Sequence, residues 1–359
     1  MPETEQAEVT RFLGDPSSFG SGVARVERIE THGAIVFLAG DRAYKLKRAV
    51  RLPYLDFSVI EKREAACRHE LQRNAAAAPT IYIGIEAITR APDGGLELGG
   101  QGKPVDWVVV MNRFAQELIL DHLACRGELQ TSLMAPLAKQ ISDSHARARA
   151  FRGRHGAGSL DDVISSTIRA FWQAAALLRI DRIQLYSSRI VGALNQHSRL
   201  LDARARRGFV RLCHGDLHLR NIALVDGKPT LFDAIEFDDN LATVDILYDL
   251  AFLLMDLWHR DLRTHANLCF NEYLSRAVTT DALGGLAALP LFLATRAAVR
   301  AMVALDKRAL KSGLPDDAID AEIDEYFSLA LSLLEPSRPM LIAVGGYSGT
   351  GKTVLARQL

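Results

Sequence analysis

The run His214-Gly215-Asp216-Leu217-His218-Leu219-Arg220-Asn221 has the form H-x-D-x4-N, and Asp233 follows Asp216 by seventeen residues, at the end of a short β pattern. These residue types at this spacing suit phosphoryl transfer from ATP. One carboxylate must orient or deprotonate an acceptor hydroxyl, while an amide and a second carboxylate hold Mg2+ against the phosphates. A tight loop that spaces Asp and Asn five apart aims Asp216 at the acceptor and Asn221 at the metal, and Asp233 after the next hairpin supplies the other ligand. The bland reading is a polar surface loop with Asp and His as turn formers. The placement between strands, with Asp233 beyond the hairpin, weighs against it.

Two further groups of residues could handle phosphate. Arg42-Ala43-Tyr44-Lys45 lies on a strand that follows a possible phosphate-covering turn, Thr31-His32-Gly33. Alternation puts Ala43 and Lys45 on one face, a small residue for a flat base and a lysine for phosphates, and Lys47 shares that face. Glu64 is the natural ion-pair partner on the following helix, with Glu61 and Glu70 as alternatives. Near the C-terminus, Gly346-Tyr347-Ser348-Gly349-Thr350-Gly351-Lys352-Thr353 matches G-x-x-x-x-G-K-[ST]. In such a loop Gly346 and Gly351 let backbone N–H groups form an anion nest, Lys352 reaches the β and γ phosphates, and Thr353 ligates Mg2+.

The elements that must position these residues change character along the chain. Short β-branched and aromatic stretches at 33–39, 42–47, 80–89, 96–98 and 105–111 predict strands, separated by turn signals at 39–42 and 92–95. One helix, 58–74, interrupts them, with Asp56 or Ser58 as its cap. Long helical patterns follow at 117–152, 159–178 and 180–207. A β island at 209–213, 222–225 and 230–232 carries an Asp226-Gly227 turn, and helices resume from 245 to 334. Strands followed by helices indicate an α+β fold rather than a doubly wound sheet. Residues 335–339, with two prolines, read as a linker, and a new strand is expected at 340–344.

Composition narrows the partners. Lys+Arg and Asp+Glu number 43 each, so there is no basic surplus of the kind nucleic-acid binding requires. Cys67, Cys125, Cys213 and Cys269 are scattered without a CxxC, which indicates neither a disulfide framework nor a zinc knuckle and makes a reduced, cytoplasmic setting the default. The acidic N-terminus does not read as a signal peptide. The most apolar stretch, 283–305, contains Pro290, Arg296 and Arg300, and is expected as a buried helix hairpin in a soluble protein rather than a membrane span.

Over about residues 20–330 the chain resembles the aminoglycoside phosphotransferase family, a branch of the protein-kinase-like fold. The resemblance is strongest in HGDLHLRN…LFDAIEF…DILYDLAFL, from His214 to Leu253. It implies a bilobal fold: a β-rich nucleotide-binding lobe at 1–112, with one helix, and a helical lobe with the catalytic loop at 113–334. It further implies Asp216 as catalytic base, Asn221 and Asp233 as Mg2+ ligands, and Lys45 with Glu64 as the phosphate-positioning pair. His214 would brace the loop, Asp245 or Asp249 would anchor it, and Val110–Arg113, with Met111, would form a hinge for the adenine edge. There are departures: the first strands hold no G-x-G-x-x-G, and Phe232-Asp233-Ala234 replaces D-F-G. Only about a dozen residues separate Asp233 from Asp245, too few for a long phosphorylatable activation loop, which favours a small-molecule enzyme over a protein kinase.

The expectation is therefore an ATP- and Mg2+-dependent phosphotransferase acting on a hydroxyl of a small molecule, aminosugar-like or another hydroxylated metabolite. The alternative is a nucleotide-binding pseudokinase that regulates an attached domain. The glycine-rich motif at 346–353 extends the resemblance to bifunctional proteins with a C-terminal P-loop ATPase or kinase domain, of which residues 340–359 would be a truncated start. Lys352 and Thr353 are then expected to add nothing to the activity of this chain, because a helix of about seven residues without a sheet to bury it is marginal. Acidic residues at 314–327, with Glu236, Asp238 and Asp239, would suit a polycationic acceptor, although a solvated helix face is the commoner use of such a stretch.

Overall fold

A computed structural model of the chain describes residues 2–31, 33–52, 55–153, 156–276, 283–310, 316–336 and 345–352. The strands are β1 (Val26–Glu30), β2 (Ala34–Ala39), β3 (Arg42–Lys47), β4 (Arg51–Leu52), β5 (Leu55–Asp56), β6 (Tyr82–Arg90), β7 (Leu96–Leu98), β8 (Lys103–Asn112), β9 (Val210–Leu212), β10 (Ile222–Val225), β11 (Lys228–Leu231) and β12 (Thr243–Asp245). Helices α1 (Pro2–Gly14), α2 (Ile60–Asn74), α3 (Leu120–Cys125), α4 (Met134–Arg147), α5 (Ala157–Gln173) and α6 (Ala175–Leu178) come first. They are followed by α7 (Ile180–Arg206), α8 (Asp239–Ala242), α9 (Ile246–His259), α10 (Arg263–Ser275), α11 (Leu289–Leu310) and α12 (Asp317–Leu333).

Six strands form one antiparallel sheet in the order β1-β2-β3-β8-β6-β7. The two-residue loop Gly40-Asp41 joins β2 to β3, with Gly40 in the left-handed region at φ 58°, as a tight hairpin requires. Each face of the sheet is covered by a helix. On one side Val9 and Leu13 of α1 pack on Ile35, Phe37, Leu46 and Val108. On the other, Cys67 of α2 joins Leu38, Ala43, Val109 and Met111. Strand alternation therefore sends Lys45 and Lys47, like Ala43, to the α2 side.

Beyond Asn112 the chain is helical around one large core. Helix α9 is its axis: every residue from Leu247 to Leu257 is buried, the signature of a helix enclosed on all sides. Two small β ladders flank this core, one beside α9 and the other against α4. β9 pairs with β12, and β10 with β11 through the Asp226-Gly227 turn, both residues at positive φ (50° and 74°), the chemistry of a two-residue hairpin.

Several expectations change. The helix expected at 117–152 is α3 and α4, separated by a turn at Gly127 (φ 69°) and a short 3-10 segment. Neither Asp56 nor Ser58 caps α2, whose N-cap is Val59, because Asp56 instead accepts from the Ser58 amide at 3.1 Å. The apolar stretch expected as a hairpin is a single helix, α11. Pro290 falls in its first turn, where the missing N–H costs nothing. By length and composition Gly284–Ala309 could cross a membrane, yet half of its most apolar window is buried inside the protein. The four cysteines are free, with Cys67, Cys213 and Cys269 buried. The strand expected at 340–344 and residue Thr353 lie outside the described residues.

Candidate active site

The loop from His214 to Asn221 is held from below by two carboxylates of α9. Asp249 accepts from the Gly215 amide at 2.8 Å and the His214 amide at 3.3 Å, and Asp256 accepts from the Leu219 amide at 2.9 Å. Positions 249 and 256 are two helical turns apart, so both side chains rise from one stripe of the helix. Asp249 is in turn held by His145 Nε2 at 3.0 Å, whose other ring nitrogen meets Tyr273 Oη at 2.8 Å. Of the two anchors considered, Asp249 is the one that meets the loop. Asp245 pairs with Arg204 and caps α9 through the Leu247 amide. Gly215 sits at φ 83°, and a Cβ there would lie 3.2 Å from the Ala242 backbone, so the loop needs its glycine for both conformation and space.

Within the loop, His214 Nε2 lies 2.9 Å from the Phe232 carbonyl, and its Nδ1 accepts from the Asp216 amide at 3.3 Å. That places the ring proton on Nε2. Burial pushes the His214 pKa below its ordinary value against the pull of Asp249 and Asp216, so the neutral ring braces the loop and does not carry charge. Asp216 is 38% exposed at its side chain. Its Oδ2 accepts from Asn221 Nδ2 at 2.8 Å and lies 3.2 Å from His218 Nε2. Burial alone would raise the Asp216 pKa, but His218 beside it, with Arg300 farther off, outweighs it and holds the carboxyl well below the usual range.

Asn221 and Asp233 are brought side by side by the β10–β11 hairpin, since the Phe232 amide donates to the Asn221 carbonyl at 3.0 Å. Asp233 has φ 61°, unusual for a residue other than glycine, and a side chain 39% exposed. Such a conformation persists only where surrounding bonds fix it. Here the Asp233 amide donates to Tyr82 Oη at 3.2 Å, the Ala234 amide to Asn74 Oδ1 at 2.8 Å, and the Ile235 amide to the His214 carbonyl at 3.0 Å. Arg73 of α2 also donates to the carbonyls of Ile235 and Cys213. The small lobe's helix is thus bolted to both loops.

Lys45 reaches across the cleft to Asp233, and its Nζ lies 2.9 Å from Glu70 Oε1. Burial would lower the Lys45 pKa, but Asp233 and Glu70 raise it well above its ordinary value; the ammonium stays charged. The expected partner, Glu64, is displaced by Glu70. The inward face of α2 consists of Arg63, Ala66, Cys67, Glu70 and Asn74, and Glu64, one position off that stripe, instead pairs with Arg68 at the surface at 2.8 Å. Lys47 lies on the same face as Lys45 and bonds Glu70 and Glu236. Both lysines meet Glu70; Lys45 alone of the two meets Asp233.

The remaining expected residues are placed less favourably. Met111 is buried beside Ala43 on the Lys45 side of the sheet. The amides of Asn112 and Arg113 already donate to the carbonyls of Ile81 and Asp41 (2.7 and 2.8 Å), so these two N–H groups are engaged within the fold. In the glycine-rich motif, the hydroxyl of Thr350 and the ammonium of Lys352 both donate to the Tyr347 carbonyl, and Gly346, Gly349 and Gly351 all have positive φ. Five of the six acidic residues at 314–327 are committed within the fold: Asp320 to Arg308, Glu322 to Arg300, Asp324 to Arg182 and Glu325 to His259, with Asp316 capping α12.

A β-lobe and a helical lobe that aim a lysine, two aspartates and an asparagine into one cleft define a protein-kinase-like fold. Solved structures of that class superpose on nearly the whole chain. A choline/ethanolamine kinase family protein from Mesorhizobium loti matches with a TM-score of 0.56 and 15% identity, over 92% of this chain and 95% of its own. The GDP complex of aminoglycoside 2'-phosphotransferase-IIIa matches with a TM-score of 0.53 and 16% identity, over 92% and 98%. A thermostable mutant of aminoglycoside phosphotransferase APH(4)-Ia gives 0.52 and 13%, over 90% and 97%. In sequence, the uncharacterized protein Rv2004c of Mycobacterium tuberculosis is 30% identical over 336 residues, which is 91% of this chain and 64% of that protein. An uncharacterized protein of Mycobacterium bovis, Mb2027c, matches to the same extent. The chain thus spans about 64% of the length of these relatives. No family model matches it.

Proposed function

We propose that the chain transfers the γ-phosphoryl group of ATP to a hydroxyl of a small molecule. The observation that carries this is the convergence of Asp216, Asn221, Asp233 and Lys45, from three separate stretches of sequence, on one cleft. Asp216 stays ionised and is aimed by His218 and Asn221 through Oδ2. Its Oδ1 has no hydrogen-bond partner among the described residues, which leaves it to accept the proton of an acceptor hydroxyl. Lys45, charged and held between Glu70 and Asp233, is placed to meet the phosphates.

The donor set fits a hard divalent cation. Asn221 spends its side-chain N–H on Asp216 and keeps Oδ1, while Asp233 offers a half-exposed carboxylate, so both present oxygen. These two residues would hold Mg2+, which when bound would neutralise the phosphate charge. With the Asn112 and Arg113 N–H groups already engaged, a backbone donor to the adenine edge would come from just beyond them, at Phe114 or Ala115. The internal pairing of most of the 314–327 carboxylates weakens the support for a polycationic acceptor, and the acceptor class rests at a hydroxylated small molecule. The motif at 346–353 we assign to a second phosphate site, belonging to a P-loop domain in cis. The test is transfer of radiolabelled γ-phosphoryl from Mg·ATP to a panel of hydroxylated metabolites and aminoglycosides. Labelled product with one acceptor class supports the assignment. A folded protein that labels none and shows no ATP turnover overturns it.

A further inference from the structure

The second lysine of β3 forms a buried circuit that the transfer reaction does not need for its own sake. Glu70 is fully enclosed and divides its two oxygens, Oε1 to Lys45 and Oε2 to Lys47. Lys47, only 2% exposed, continues to Glu236, also buried, and Glu236 lies three residues past Asp233, which holds Lys45. Four ion pairs link the five side chains in the order Asp233, Lys45, Glu70, Lys47 and Glu236, alternating in sign along the row, and the chain from 233 to 236 joins its ends. Carboxylate oxygens of Glu70, Asp233 and Glu236 lie within 4.8 Å of one another. Two ammonium groups thus serve three carboxylates in a space where unpaired charge is expensive.

We propose that Lys47 is a positioning residue for Lys45: it occupies Glu236 and the second oxygen of Glu70, so that Lys45 remains available to nucleotide phosphates. Without Lys47, two buried carboxylates face each other with one cation within reach. Lys45 is then drawn between Glu70 and Glu236 and away from the phosphates. Neutralising Glu236 removes the competitor and leaves the Lys45–Glu70 pair as it was. The same circuit ties β3 and α2 to the segment 233–236, alongside Arg73 and Asn74, so the lysine, the glutamate and the metal-side aspartate belong to one bonded network.

The role rests on the nucleotide-site reading above, and the experiment separates the two. Binding of a fluorescent ATP analogue with Mg2+ is titrated against the parent, Lys45→Ala, Lys47→Met, Glu236→Gln and the double variant Lys47→Met/Glu236→Gln, with thermal unfolding of each. The expected pattern is a loss of about tenfold or more in Lys47→Met and recovery to within about fivefold of the parent in the double variant, a coupling that simple loss of packing would not produce. Glu236→Gln alone stays within about fivefold. A double variant as weak as Lys47→Met, or a Lys47→Met protein that binds like the parent while Lys45→Ala does not, overturns the positioning role alone. A parent and Lys45→Ala that bind alike, or not at all, overturn the nucleotide site and this role with it. Should Lys47→Met fail to fold, the charge-matched double variant decides: binding within about fivefold of the parent supports the role, and a greater loss overturns it.

Discussion

Replacing Asp249 by alanine should cost more stability than most single changes in this chain. The carboxylate is completely buried and receives the amides of His214 and Gly215 and the ring N–H of His145, with the Arg296 guanidinium 3.9 Å away. Each buried donor left without an acceptor costs about 1–3 kcal/mol, and breaking a buried charge pair costs about 3–5 kcal/mol, so relaxation leaves about 3–5 kcal/mol as the net loss. Against a total of about 5–15 kcal/mol for a domain, that is a large share. Asp249→Asn keeps one acceptor oxygen and should lose about 1–3 kcal/mol. Equilibrium urea unfolding at neutral pH measures both. The pH dependence adds a second check. Burial would raise the Asp249 pKa, but the hydrogen bond from His145, with the Arg296 guanidinium nearby, outweighs it, so the folded value lies below the ordinary one. A depressed carboxyl contributes its stability fully above the unfolded pKa of about 3.9 and loses it as pH falls through the folded value. The parent's advantage over Asp249→Asn should therefore be constant from neutral pH down to about 5 and shrink below about 4. A loss under about 1 kcal/mol for Asp249→Ala, or an advantage that fades already near neutral pH, would refute the anchoring role.

Other substitutions probe the remaining parts. Glu70→Ala should weaken Mg·ATP binding by about tenfold or more, whereas Glu64→Ala, which breaks a surface pair worth about 0.3–0.5 kcal/mol, should leave it unchanged; isothermal titration distinguishes them. Asp233→Ala should abolish the Mg2+-dependent part of nucleotide binding, and affinity equal to the parent's in saturating Mg2+ would remove Asp233 from the metal site. Gly215→Ala should lower the thermal midpoint, since an alanine at positive φ costs about 1–2 kcal/mol before the contact with Ala242 is relieved; an unchanged midpoint would mean that the loop tolerates another backbone path.

The residues of the candidate site are legible because the chemistry expected of them fixes type and spacing together: His214, Asp216, Asn221 and Asp233 lie close in sequence around a hairpin that announces itself through Asp226-Gly227. The strand carrying Lys45 was legible from alternation. Glu70 was not, because the inward stripe of α2 reads Arg-Ala-Cys-Glu-Asn. Three of its five residues are polar, so hydropathy gives no phase, and the outward Glu64 reads as the natural partner with Glu70 only an alternative. Asp256 escaped notice too, although its spacing of seven from Asp249 on an otherwise apolar helix was a usable signal. Helix α1 is hard to read from sequence: among its described side chains only Val9 and Leu13 are deeply buried, a face too sparse to stand out beside its charges. Pro290 suggested a break where it marks a beginning, a distinction that depends on where the helix starts.

The central claim is that Asp216 serves the acceptor hydroxyl while Asp233 and Lys45 serve the nucleotide. Asp216→Asn tests it most directly, with Mg·ATP affinity and single-turnover phosphoryl transfer measured on the same preparation. Affinity within about threefold of the parent and transfer reduced by about a hundredfold or more is the expected result. Equal losses in affinity and turnover would move Asp216 to the metal, and undiminished transfer would contradict the account altogether.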